Sequence, residues 1–420
     1  MIYTLKQKFI DNFILLMLIM STGGLLFVFN RNIASISFLI ILLVVIVFIG
    51  SSIKKSIFNS MILTFVTFVA LGVINYSFAI VEQTAEKYLF YLLTVVLSIL
   101  SLLHFRNNRK ADIFLIRLHS VLMLISFHAF FNFIIFFFMK NNLTIISSAY
   151  HECETFMHLF FYTPSKGIVN VFGFEFCRNQ GFFWEPGILQ IFLNMLFFLE
   201  AFIIKKRKSL LILTALVILT TYSTTGILLL LIQFTVYLFN EFKLNKWITP
   251  FVLLLAIPVY IIFSVNLEDK ISGVKEMSFQ KRYFDLVQPF FIALENPLTG
   301  IGLDLFEFQK IRQEFYIPSS SVQSINSLTG IDSKIQVTEK GSTNSIMFLI
   351  AGAGFPSAIL LMVMFFKQQI IAEKKWLWML IMIVSVMSEP LLLRPFFFLF
   401  IVSGFNQMFY NITSRKKLIS

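Results

Sequence analysis

Arg178 and Glu185 stand seven positions apart in the run RNQGFFWEPG, where a long apolar stretch begins. A guanidinium can grip phosphate or carboxylate oxygens through two parallel hydrogen bonds and keeps its charge at any working pH. A carboxylate nearby can take the proton of an attacking hydroxyl. In a chain that is 58% hydrophobic and only 13% charged, ionisable groups at an apolar boundary either anchor a helix end or handle a charged substrate. Both readings are open for this pair taken alone. Arg282, at the head of RYFDLVQPFFIALENPLTGIG, and Arg394, between the last two apolar runs, share the setting. Such a group of arginines suits a diphosphate at a membrane surface, each charged hydrogen bond contributing roughly 1.5–3 kcal/mol. Glu185 and Glu389, each just before a proline, and Asp304 and Glu307, just after Gly300 and Gly302, are candidate bases. Capping or snorkelling accounts for any one of them singly.

Other chemistries leave no trace. The chain has no paired CxxC, no HExxH, no phosphate-binding glycine loop and no GxSxG, so no metal or cofactor is expected. His151, Glu152, Glu154 and His158 crowd one loop, and solvated loop polarity explains them better than a cation site. Arg117, His128 and Asn132 share one helical face; without an acidic partner at matching depth they read as a polar seam rather than a proton path. Cys153 and Cys177 lie in a single loop. A bridge between them would stabilise that loop by roughly 3 kcal/mol on the chain-entropy model, and two free thiols are the equal alternative.

The elements that must position these residues are transmembrane helices. Apolar runs repeatedly exceed the ~18 residues that mark a span. Spans are expected near 9–29, 33–50, 57–80, 88–105, 113–138, 185–204, 209–223, 226–240, 248–265, 344–366, 376–390 and 396–411. The fold class is therefore an all-α polytopic integral membrane protein of about twelve spans, a single membrane domain over 1–420 with nothing cleaved from its start. The stretch Ser209 to Phe239 is too long for one span and breaks at TYSTTG, Thr221 to Gly226.

Lysines and arginines gather at alternate loops, with KKRK at 205–208 the densest block. By the positive-inside rule both termini are cytoplasmic and the two long loops, 140–184 and 266–343, face outward. The net charge of +12 is thus a topology signal with some pull on anionic lipid headgroups, and implies no nucleic-acid partner. In the larger loop, Met277, Tyr283, Leu286, Val287, Phe290, Phe291 and Leu294 recur at helical spacing, with Lys281, Asp285 and Gln288 opposite. An amphipathic helix at the interface follows, ending at Asn296-Pro297. The glycines of LTGIG make a tight turn, a short helix spans about 303–315, and SSSVQSINS reads as a flap or linker.

Four segments, RNQGFFWEPGILQIFLN (178–194), LTTYSTTG (219–226), RYFDLVQPFFIALENPLTGIG (282–302) and TNSIMFLIAGAGFPSAILL (343–361), resemble in order and spacing the signatures of the bacterial O-antigen polymerase and O-antigen ligase superfamily. The resemblance covers the second half of the chain. It implies a metal-independent inverting glycosyltransferase of the inner membrane, with its active site on the periplasmic side. The substrates implied are oligosaccharide repeat units on undecaprenyl diphosphate, with membrane lipids, a chain-length regulator and a flippase as partners. By that analogy Arg178 and Arg282 hold the departing diphosphate. Glu185 is the first choice of base, and Arg394, Asn344, Gly300, Gly302 and Asp304 are the expected substrate-binding residues.

One position departs from the pattern. Ligases of this superfamily carry a histidine before the asparagine of the fourth segment, and here Thr343 precedes Asn344. Threonine is no base at neutral pH, which favours a polymerase over a ligase. A lipid-linked-oligosaccharide flippase is the alternative of another class. Against it, the large polar insertion falls between the ninth and tenth spans, and no half-repeat of the transporter kind is visible.

Overall fold

The computed structural model describes residues 5–49, 53–106, 112–148, 151–171, 173–241, 276–314 and 342–415. The expected span 248–265 and the serine-rich segment 319–327 lie outside them. In chain order the helices are α1 (Leu5–Gly23), α2 (Leu25–Phe29), α3 (Arg31–Val44), α4 (Lys55–Phe78), α5 (Ala85–Arg106) and α6 (Asp112–Met139). Then come β1 (Thr144–Ser147), β2 (Glu152–Phe156), β3 (Phe160–Tyr162), the single turn α7 (Pro164–Gly167), β4 (Ile168–Val171) and β5 (Phe174–Cys177). They are followed by α8 (Pro186–Phe198), α9 (Lys208–Thr220), α10 (Thr224–Glu241), α11 (Glu276–Glu295) and α12 (Leu305–Glu314). The last three are α13 (Ser345–Phe366), α14 (Lys375–Ser388) and α15 (Pro395–Arg415).

Among the described residues, seven helical stretches are long and apolar enough to cross a membrane: Arg31–Phe48, Lys55–Phe78, Ala85–Arg106, Asp112–Met139, Pro186–Ile204, Ser345–Phe366 and Pro395–Thr413. By that measure the chain is a helical multi-pass membrane protein. Helices α9, α10 and α14 are apolar but shorter. The break foreseen at TYSTTG is real, since α9 stops at Thr220 and α10 starts at Thr224. The first expected span is interrupted. Gly24 adopts extended geometry and bridges Phe183, and Leu25 N donates to Phe182 O at 2.9 Å.

The chain divides into two compact units: Met1–Ile49 with Asn108–Leu267 and Ile370–Ser385, and Gly50–Asn107 with Glu268–Gln369 and Val386–Ser420. The first unit holds a departure from the all-α expectation. Its loop 140–184 carries a three-stranded antiparallel sheet, β1-β2-β3, and a β4-β5 hairpin. Alternate residues along these short strands point to opposite faces, and the inward ones pin the insertion to helix ends. Tyr162 and Cys177 pack with Phe136 of α6, while Val169 and Phe176 pack with Tyr222 in the α9–α10 turn.

In the second unit, the segment after α11 lies against the backbone of α13. Ile301 N donates to Ala351 O at 3.0 Å, Gly302 N to Gly352 O at 2.9 Å, and Phe355 N to Pro297 O at 2.9 Å. Helix α13 is kinked at Gly354 (φ 74, ψ 165), two residues before Pro356. A Cβ there would meet Leu298 O at 2.3 Å, in a conformation that side chains other than glycine enter only at about 1–3 kcal/mol. Gly354→Ala should therefore lower the thermal midpoint of the purified protein, and an unchanged midpoint would show that this kink relaxes freely.

Candidate functional site

In the first unit, the segment Arg178 to Asn194 is built onto Leu219 to Gly226. Arg178 is half-buried; its backbone N–H reaches Gly167 O at 2.8 Å and its Nε donates to Thr221 O at 3.1 Å. That bond sets the plane of the guanidinium. Asn179 is almost fully buried: its N–H bonds Thr220 O, and its Nδ2 donates to Ala129 O and Thr220 Oγ1 at 2.7 and 3.1 Å. Its Oδ1 accepts from Asn132 Nδ2 at 3.1 Å. Asn132 also accepts from Phe161 N, and His128 Nε2 lies 2.9 Å from Leu159 O with its ring stacked on Phe182. Asn132 and His128 of α6 thus hold the insertion 140–184 in place, as a polar face directed at protein.

The other polar residues of these two segments tie helices together. Asn194 Nδ2 donates to Gln190 O at 2.9 Å and to Gly226 O at 3.2 Å, and Gln233 Nε2 donates to Asn194 Oδ1 at 2.8 Å. These hydrogen bonds, made in apolar surroundings, fix the register of α8 against α10. Glu185 differs from them. It occupies the N-cap position of α8 before Pro186, makes no side-chain cap bond, and is exposed. Its carboxylate is open to a ligand.

The bridge between Cys153 and Cys177 is not formed; both are buried free thiols. Strand geometry accounts for the separation. Glu154 pairs with Tyr162 across β2 and β3, so Cys153, its neighbour, faces the other side, while Cys177 packs with Tyr162. Burial, then Glu152 and Glu154, pushes the Cys153 thiol up to about 12; burial likewise pushes Cys177 up to about 11. The thiolate is the reactive form. Both cysteines should therefore resist iodoacetamide at pH 8 in folded protein and react on denaturation, whereas a linked peptide pair in non-reducing mass spectrometry would contradict this. No group of three or more His, Cys, Asp and Glu side chains comes together among the described residues.

In the second unit, Arg282 is exposed on α11, one turn before Asp285. The helix keeps its expected period, but its polar residues turn inward. Asp285 and Gln288 are fully buried, while Leu286, Phe290 and Leu294 of the apolar stripe remain exposed. Asp285 Oδ1 accepts from Arg312 Nη2 at 2.7 Å; its Oδ2 accepts from the N–H and hydroxyl of Thr343 at 2.9 and 2.7 Å. Arg312 Nε donates to Gln288 Oε1 at 2.7 Å, its guanidinium lies over Phe284 and Phe308, and its Nη1 has no partner. This ion pair was missed from the sequence, although Asp285 and Gln288 at i, i+3 on one face, with an arginine on the next helix, are a readable signal.

The remaining expected substrate residues are engaged within the protein. Asp304 caps α12: its Oδ1 accepts from Phe306 N at 2.9 Å and its Oδ2 from Thr84 Oγ1 at 2.5 Å. Asn344 caps α13 through Met347 N at 3.1 Å. Gly300 (φ 69) and Gly302 (φ 101) permit the backbone contact with α13, where a Cβ on Gly300 would lie 2.5 Å from Ala351 O. Arg394 is half-buried, its guanidinium 5.8 Å from the centre of the Phe90 ring.

No protein-family model matches the chain, and no curated protein matches it. The resemblance therefore stands on the four segments alone.

Proposed function

We propose that the chain is a membrane-embedded polymerase that joins polyprenyl-diphosphate-linked oligosaccharide repeat units. Its reaction would be metal-independent and inverting, on the outer face of the inner membrane. The observation that carries this reading is the pairwise convergence of the four segments. The first and second meet around Arg178, and the third and fourth meet at Asp285, one turn from Arg282, and at the Gly300–Gly302 turn.

The acceptor hydroxyl attacks the anomeric carbon, the carbon–oxygen bond to the diphosphate breaks, and negative charge grows on the leaving group. Fixed guanidinium groups stabilise that charge without reorganising. Exposed Glu185 is the proposed proton acceptor. Thr343 stands where the resembling ligases have histidine, and both its donors go to Asp285, which favours polymerisation over ligation.

Cells lacking the chain should display surface glycan of a single repeat unit. Long polymer left on the lipid carrier would indicate a ligase instead, and units trapped on the inner face a flippase. The orientation has its own test. Single cysteines placed in 140–184 should react with an impermeant maleimide from outside while those at 205–208 stay protected; the reverse pattern would put every proposed site residue on the wrong side.

A further inference from the structure

The turn between β2 and β3 sits at a depth that the length of α6 fixes. Leu159 O lies 2.9 Å from His128 Nε2. His128 stands about 24 Å along α6 from Asp112 and about 16 Å from Met139. Arg106, Arg109, Lys110 and Asp112 keep hydrocarbon from extending past the start of this helix. A core of ~30 Å that begins at Asp112 therefore ends about 6 Å beyond His128, and any other placement within α6, or any tilt, puts His128 deeper. The head of β2 gives the same depth from the other side. Phe29, just before the span that starts at Arg31, meets the His151 ring edge-on at 6.4 Å, so His151 stands near a membrane boundary. From there β2, with five residues, carries the chain about 16 Å toward the turn.

What the turn presents is apolar. Met157 and Leu159 are 71% and 56% exposed, and Phe127 and Phe131, at the same levels of α6, are exposed as well. Met157 and His158 both hold φ 54, a left-handed conformation that Asn-Gly fills most easily, so the chain keeps a methionine at the tip against its turn preference. Leu159 is paired through both backbone groups, its N–H with Phe156 O at 3.1 Å and its carbonyl with His128, as hydrocarbon requires of a chain that is not helical. His158 is exposed between the two apolar residues, and its polar ring keeps the tip in the upper part of the leaflet, near the headgroups. Further along β3, Phe161 N donates to Asn132 Oδ1 at 3.0 Å, one helical turn nearer Met139, where the strands leave the core.

We propose that the turn Met157–Leu159 is a membrane anchor, dipping into the leaflet on the side of the insertion 140–184 with the Met157 and Leu159 side chains among lipid acyl chains. Asn132, which grips β3, also donates to Asn179 Oδ1 at 3.1 Å, so the anchored hairpin sets the depth of the segment that carries Arg178. The anchor is independent of the reaction proposed above. Within 140–184 it is the exception to maleimide labelling: cysteines at 157 and 159 are shielded, while one at 147 reacts.

The experiment uses full-length protein in phosphatidylcholine nanodiscs with a nitroxide on Met157→Cys, Leu159→Cys or Ser147→Cys; the native thiols are buried. In power-saturation EPR, collision with oxygen, which concentrates in hydrocarbon, should dominate at 157 and 159, and collision with a water-soluble nickel chelate at 147. Wild-type protein in nanodiscs whose phosphatidylcholine bears a diazirine on its acyl chain should take label between Phe156 and Phe160, a result that does not depend on any cysteine variant folding. Nickel access at 157 and 159 equal to that at 147 would put the turn in water, and nitroxides closed to both reagents would put it against protein, such as a second copy. Either outcome, or a wild-type map without label between Phe156 and Phe160, overturns the anchor.

Discussion

Alanine at Arg178 or at Arg282 should lower polymer formation about 10²–10³-fold, the ~3–4 kcal/mol lost when one positioned donor is removed from a site of developing charge. Insertion should be unaffected at either position. Arg178 N donates to Gly167 O and its Nε to Thr221 O, and Arg282 is exposed. Lysine should restore activity only in part, because it offers a point charge and no bidentate fork. Rates from membranes with matched protein levels separate these outcomes. Full-length polymer from both alanine variants would remove the diphosphate clamp.

The second large effect concerns stability. Arg312→Ala leaves Asp285 charged and buried without its partner, a change that costs about 3–5 kcal/mol, and α11 should loosen from α12. Asp285→Ala should cost a similar amount and also release both donors of Thr343. The double variant Asp285→Leu with Arg312→Met should recover much of the loss, because it removes both desolvated charges together and Arg312 Nη1 already lacks a partner. Thermal unfolding of the wild type, Asp285→Leu, Arg312→Met and the double variant gives the coupling directly. Additive losses would show that the two side chains act independently.

Much of the membrane architecture was legible because hydrocarbon demands long apolar helices, and those leave a strong pattern. The α9–α10 break and the end of α11 before Asn296-Pro297 were equally readable, since proline and turn residues act locally. The two small sheets were not. Strands such as FFY and FEFC are too short for a period to emerge, and their inward faces are set by Phe136 and Tyr222, far away in the chain. The site was legible only in part. Arg178, Glu185 and Arg282 were picked out by charge in apolar surroundings; Glu185 and Arg282 are exposed and Arg178 is half-buried. Asp304 and Asn344 carry the same chemistry by type, yet each caps a helix, and sequence alone does not separate a capping oxygen from a binding one. The burial of Asp285 was not legible, because amphipathic spacing says which residues share a face and not which face is covered.

The most direct test of the central claim is reconstitution. Purified protein in liposomes, given synthetic undecaprenyl-diphosphate-linked repeat units and no metal, should produce a ladder of glycans at integral multiples of the unit, with free undecaprenyl diphosphate released once per bond formed. Unchanged donor, or movement of intact donor across the bilayer without new glycosidic bonds, would contradict the polymerase.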